Sequence, residues 1–118
     1  MAYVNPGEIQ YEIRMVCPER RISDNGHYED REHSFTLRAG VRSVSSKDLV
    51  QYGADQSQET LQFIVRWYNR KRINDDMLVE WRGRRYAIFY IDPTPWAGTW
   101  CRIKGVALEG SGGDWLDG

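Results

Sequence analysis

Residues Leu78 to Pro93 read LVEWRGRRYAIFYIDP. Two short apolar runs flank a turn that holds Arg82, Gly83, Arg84 and Arg85. A connection this short between MLVEW and RRYAIFYI predicts a β-hairpin whose register is set by the turn itself. In the second run Tyr86, Ile88 and Tyr90 share one face, and Ala87, Phe89 and Ile91 share the other. An antiparallel strand with one face in water should be polar on that side. This strand is apolar on both, so either loops cover it or its outer face meets another subunit. The alternation leaves open which face belongs to the core.

The same period of two recurs outward from this hairpin, while helical periodicity barely occurs. IQYEIRMVC places Ile9, Tyr11, Ile13, Met15 and Cys17 on one face and Gln10, Glu12 and Arg14 on the other. HSFTLRAGVRSV gives Phe35, Leu37, Ala39 and Val41 inward, with Thr36, Arg38 and Arg42 outward. Gly40 predicts a bulge or a bend within that strand. ETLQFIVRW puts Leu61, Phe63, Val65 and Trp67 inward and Thr60, Gln62 and Arg66 outward. WCRIKGVAL turns Cys101, Ile103, Gly105 and Ala107 one way. Between these lie a polar connection from Pro18 to Asp30 with an Asn25-Gly26 turn, a charged loop YNRKRINDD, and a Pro/Gly loop PTPWAGT.

The segment from Ser45 to Glu59 departs from the pattern. Ser45 with Asp48 three residues on resembles a capping box, and Gly53 would stop a helix of under two turns. The segment carries Lys47 against Asp48, Asp55 and Glu59 and is long for a hairpin loop, which marks it as a projecting element. About six short strands, tight turns and one short helix in the long loop between strands 2 and 3 predict an all-β fold, a small antiparallel β-barrel or closely packed sandwich. Residues 1–109 form one domain, and residues 110–118 a flexible Gly-rich tail with an apolar pair, Trp115-Leu116.

Composition bounds the function. Of 118 residues 41% are hydrophobic and 15 are aromatic (5 Trp, 7 Tyr, 3 Phe), as in a folded rather than a disordered chain. The 16 Lys and Arg are offset by 17 Asp and Glu, a net charge of −1 that argues against a dedicated nucleic-acid binder. No apolar run approaches the roughly 18–20 residues of a membrane span, and the start MAYVNPGEIQ lacks the order of a signal peptide. The expected site of synthesis is therefore the cytoplasm. Cys17 and Cys101 read as small buried hydrophobes, since no CxxC pair is present. The spacing of His27 and His33 fits no metal motif. No GxSxG elbow, P-loop or GxGxxG occurs, and the expectation is a protein without catalysis, metal or cofactor.

RWYNRKR interleaves Arg66, Arg70, Lys71 and Arg72 with Trp67 and Tyr68, a pairing that single-strand binding surfaces use. Alternation turns Trp67 inward, however, which leaves Tyr68 alone to stack on a base. A protein-binding role fits better: a doubly apolar strand, an Arg-rich rim and a tail bearing Trp115 are features of an assembly component.

NPGEIQYEIRM, AGVRSVSSKDL, FIVRW, INDDMLVEWRGRRYAIFYI and a final CRIKGVAL, in this order from Asn5 to about Leu108, resemble the tailed-phage head–tail joining proteins. These are also called head-completion, adaptor or stopper proteins. The most specific part runs from Asp76 to Ile91: an apolar strand, a Gly turn, then Tyr-x-Ile-x-x-Ile.

The resemblance implies a small β-barrel in the virion, docked as a ring beneath the portal or adaptor ring once DNA is packaged. There it would retain the genome, let DNA pass through its channel at ejection, and present a surface to tail proteins. The long loop would project toward the channel. The family often carries a Trp in the strand before that loop, where this chain has Leu37 and Arg38. The residues expected at the gate are Ser46, Lys47, Asp48, Leu49, Val50, Gln51, Tyr52, Gly53, Ala54, Asp55 and Gln56. Those expected at subunit, portal or tail contacts are Arg66, Tyr68, Arg70, Lys71, Arg72, Tyr86, Tyr90, Trp96 and Trp115. The other readings are a nucleic-acid-binding barrel using Arg66, Tyr68, Arg70, Lys71 and Arg72, and a tail-side completion protein.

Overall fold

The hairpin around Arg82-Gly83 closes a barrel. The computed structural model describes residues 3–22, 26, 28–44 and 59–108. Its strands are β1 (Tyr11–Ile22), β2 (Tyr28–Ser43), β3 (Thr60–Arg66), β4 (Leu78–Trp81), β5 (Arg84–Ile91) and β6 (Trp100–Ala107). They pair antiparallel in the order β1-β2-β3-β6-β5-β4, and β4 returns to β1 through Met15↔Val79. Closure of this kind leaves no free sheet edge around the barrel wall. The expected all-β barrel is therefore the fold. The expected short helix falls on residues outside those described.

The turn forms as its residues demand. Trp81 pairs with Arg84, and Arg82 and Gly83 both have positive φ, 52° and 79°. That is the left-handed pair a two-residue hairpin needs, easy for glycine and costly for arginine. Arg82 recovers part of the cost by laying its guanidinium 4.4 Å from the Trp81 ring and 5.6 Å from that of Tyr11.

β5 answers the question of its two apolar faces with a bulge. Tyr86, Ala87 and Ile88 pair with Ala107, Val106 and Gly105, but Lys104 is opposite Tyr90, so Phe89 is the extra residue. An extra residue reverses the alternation beyond it. Tyr86 and Ile88 face the core, then Ile91 returns to it opposite Ile103, and Tyr90 turns outward beside Lys104. Tyr86, Ile88 and Tyr90 thus do not share a face, a correction to strict alternation.

The interior is filled by Ile13 and Met15, Leu37 and Ala39, Phe63 and Val65, Val79, Tyr86, Cys101 and Ile103. Phe63 meets the Tyr86 ring edge-on at 5.5 Å and the Trp81 ring at 6.4 Å. Cys101 is fully buried and Cys17 half-buried against this core; both thiols are free. Burial pushes the Cys101 thiol up to about 11.

Three other expectations change. Pro18 to Asp30 is not a loop throughout: β1 and β2 stay paired from Cys17↔His33 to Ile22↔Tyr28, past the last β4 partner at Val16. Backbone pairing in this extension sets no requirement that apolar residues alternate along its sequence. Second, YNRKRINDD begins as a 3-10 turn over Trp67–Arg72, after which Ile73 and Met77 pack against the core.

Third, β3 is buried on both faces from Thr60 to Val65, including Thr60 and Gln62. Its outer side is covered by the N-terminal segment. Val4 packs with Ile64 and Trp100, and Ile9 and Trp96 join them. The segment is capped at a 3-10 turn, Pro6–Glu8, by Asn5. It is tied down by Arg42, which donates to both Glu8 carboxylate oxygens (2.6 and 3.0 Å) and to the Tyr3 carbonyl (3.3 Å). No bulge interrupts the pairing at Gly40, which lies opposite Ile64. A Cβ there would stand 3.0 Å from Ile9 and 3.3 Å from the Glu8 carbonyl, so glycine admits the covering segment.

Candidate interaction surface

Two stretches rich in arginine dominate the outside of the barrel, and their side chains do different things. In the hairpin, Arg84 pairs with Glu59, and Arg85 reaches Glu32 (2.7 Å) and Glu80 (3.1 Å). Arg14 also meets Glu80, at 2.9 Å. The charges of Arg84 and Arg85 are met by carboxylates of the same molecule. Glu59 additionally accepts a hydrogen bond of 2.9 Å from the Tyr86 hydroxyl. Burial, with the Glu59 charge, pushes that phenol up to about 12. Glu59 therefore anchors the end of the long loop, and one of the three carboxylates counted in that loop is neutralised.

The second stretch is the 3-10 turn Trp67–Arg72, introduced by an extended Arg66. Trp67 donates its N–H to the Thr99 carbonyl at 2.7 Å, which fixes the turn to the β5–β6 connection. Buried Asn69 accepts from Arg72 at 3.4 Å. Arg70 points inward, donating to the carbonyls of Asp92 (2.9 Å) and Ile73 (3.0 Å). Arg66 lies 4.0 Å from the Trp100 ring, and Arg72 lies 4.3 Å from that of Phe35. Tyr68 is 73% exposed and Lys71 is exposed as well. These two, with exposed Arg66 and Arg72, are what the turn offers to a partner.

Between the two stretches sits an ionic clamp that pattern reading missed. Asp92 is 2% exposed. It accepts from the Arg102 backbone N–H (2.7 Å), the Arg102 guanidinium (two bonds of 2.9 Å) and the Tyr90 hydroxyl (2.6 Å). Burial alone would push its carboxyl up, but these donors outweigh it and hold the carboxyl below its ordinary value. Arg102 also lies 4.5 Å from the Trp96 ring. The one sequence signal for Asp92 is an acid closing an apolar strand ahead of a proline.

The expected contact residues thus divide. Arg66, Tyr68, Lys71 and Arg72 sit together at the surface turn, with Arg70 behind them. Tyr86 is 1% exposed and belongs to the core. Tyr90 and Trp96 are half-buried beside Arg102. Trp115 and the proposed gate, residues 46–56, lie outside the described residues. Among the described residues no group of three or more His, Cys, Asp or Glu could hold a metal.

Among the described residues the molecule is a small closed β-barrel, several of whose ionic groups tie its own parts together. The chain belongs to the phage head completion protein family, which it matches over residues 4–110. It is accordingly a structural component of the phage particle, associated with the head and with neighbouring head or tail proteins. The chain is also similar in fold to protein SF1141 from Shigella flexneri 2a, known from a solution structure. The two share 24% identity with a TM-score of 0.72, covering 92% of this chain and 100% of that one. No curated protein matches this chain.

Proposed function

We propose that the protein docks as a ring beneath the portal or its adaptor after DNA packaging, retains the genome, and provides the surface to which the tail attaches. The observation that carries this reading is the family match across the whole barrel. Two features of the molecule support it. Arg84 and Arg85 of the hairpin are paired at home, so these two cations are not free to grip sliding phosphates. The turn at Arg66–Arg72 presents Tyr68 and Lys71, a surface suited to protein contact.

In this reading residues 46–56 are the gate, anchored at Glu59 by Arg84 and Tyr86. Their displacement opens the channel for ejection. Deleting Leu49 to Gln56 is expected to leave the barrel folded and to yield heads that fill and then lose their DNA. Heads that keep their DNA normally with this deletion would remove the gate.

A further inference from the structure

Between the 3-10 turn and the β5–β6 connection lies an open groove of about 470 Å3, lined by Arg66, Trp67, Tyr68, Gly98 and Thr99. Its base is fixed by the Trp67–Thr99 backbone bond and by Arg66 stacked on Trp100. Gly98, at φ +99°, has nothing within 4 Å of where a Cβ would stand, so that wall is low. In a 3-10 turn side chains three residues apart eclipse one another, which places exposed Lys71 beside Tyr68. Aromatic walls with a cationic rim fit an aromatic side chain flanked by carboxylates.

The chain carries such a segment. Asp114-Trp115-Leu116-Asp117 follows a spacer, Gly110-Ser111-Gly112-Gly113, with no side chain larger than serine. It lies beyond the family match, which ends at residue 110. Reach favours the tail of a neighbouring copy over the chain's own. The seven Cα steps from Leu108 to Trp115 span at most about 25 Å when extended. Leu108 follows the far end of β6, and the strand path back to Thr99 covers roughly 30 Å.

We propose that the groove receives the Asp114–Asp117 segment of a second copy of this chain. Trp115 lies against Trp67 and Tyr68, and the two aspartates face Arg66 and Lys71. Groove and tail are unlike patches of one chain, so the contact is head-to-tail, the kind that propagates around a ring. The inference gives the proposed ring a subunit contact and rests on that reading only for closure.

The test titrates a fluorophore-labelled peptide of residues 109–118 with the full-length chain carrying Trp115→Ala, whose own tail does not compete. Saturable binding is expected, weakened roughly tenfold or more by Trp115→Ala in the peptide or Tyr68→Ala in the chain. Asp114→Asn with Asp117→Asn in the peptide, or added salt, weakens it several-fold. Tyr68 is exposed, so an unchanged melting curve confirms that its variant is folded. The unaltered chain self-associates in sedimentation at the same concentrations, and the peptide reverses this.

Absent binding at millimolar protein, or binding indifferent to Tyr68→Ala, overturns the proposal. So does an unaltered chain that stays monomeric at concentrations where the peptide saturates the variant, since that places the tail in its own groove. Virions in which the chain forms no ring would remove the ring reading and leave the peptide result standing.

Discussion

The hairpin Arg82–Arg85 and the turn Arg66–Arg72 look alike in sequence, each a dense run of arginine beside aromatic residues. In the folded chain they have opposite roles. Arg84 and Arg85 are held by Glu59, Glu32 and Glu80, and Arg82 stacks on Trp81. In the turn, Arg70 is spent on two carbonyls, while Tyr68 and Lys71 stand in water. The number of arginines in a stretch therefore says little about the charge it presents. What matters is whether the fold brings carboxylates to them, and in the hairpin they come from residues 32, 59 and 80.

The comparison can be broken at several points. The Asp92 carboxylate ties the end of β5 to Arg102 on β6, and its removal should have the largest effect. Asp92→Ala removes the buried carboxylate to which the Arg102 guanidinium and the Tyr90 hydroxyl donate, at a cost of about 3–5 kcal/mol in urea unfolding. A loss below about 1 kcal/mol would show that the clamp holds nothing. Arg70→Ala comes next, at roughly 1–3 kcal/mol, because two carbonyls lose their donor. Arg85→Ala, which breaks partly exposed pairs, should cost no more than about 1 kcal/mol. An Arg85 effect larger than that of Arg70 would invert the assignment of the two stretches. Tyr68→Ala is expected to fall within about 0.5 kcal/mol of the parent, as for a side chain kept for contact rather than stability.

Acid sharpens the same contrast. Asp92 and Glu8 are both held below their ordinary values, Asp92 against its burial and Glu8 by the hydrogen bonds from Arg42. Because the unfolded chain binds protons first, stability is full above the ordinary carboxylate range and falls as pH drops through the folded values. The decline should begin near about pH 5. Stability that rises on acidification would contradict this sign. Asp92→Asn should flatten the decline, measured by thermal melting at stepped pH.

Much of the barrel was legible because strands facing a core must alternate. Ile13 and Met15, Leu37 and Ala39, and Cys101, Ile103 and Ala107 are inward as their spacing indicates. The Arg82-Gly83 turn was legible because few residue pairs suit it. What failed to show has common physical causes. A bulge at Phe89 adds a residue without a residue-type signal, so the outward turn of Tyr90 was hidden. The pairing of β1 with β2 beyond Val16 is a backbone matter without an apolar alternation to announce it, and the outer side of Ile64 is covered by distant Val4. Of the candidate surface, Tyr68 and Lys71 could be picked out locally. The Asp92 clamp could not, since it requires Arg102 to arrive from the next strand.

The central claim is that this barrel completes a filled head, and heads assembled without it test that most directly. Such heads should package DNA, then lose it and fail to accept tails. Addition of the purified protein before tails should restore both retention and joining. Heads that hold their DNA and join tails equally well without the protein would contradict the account.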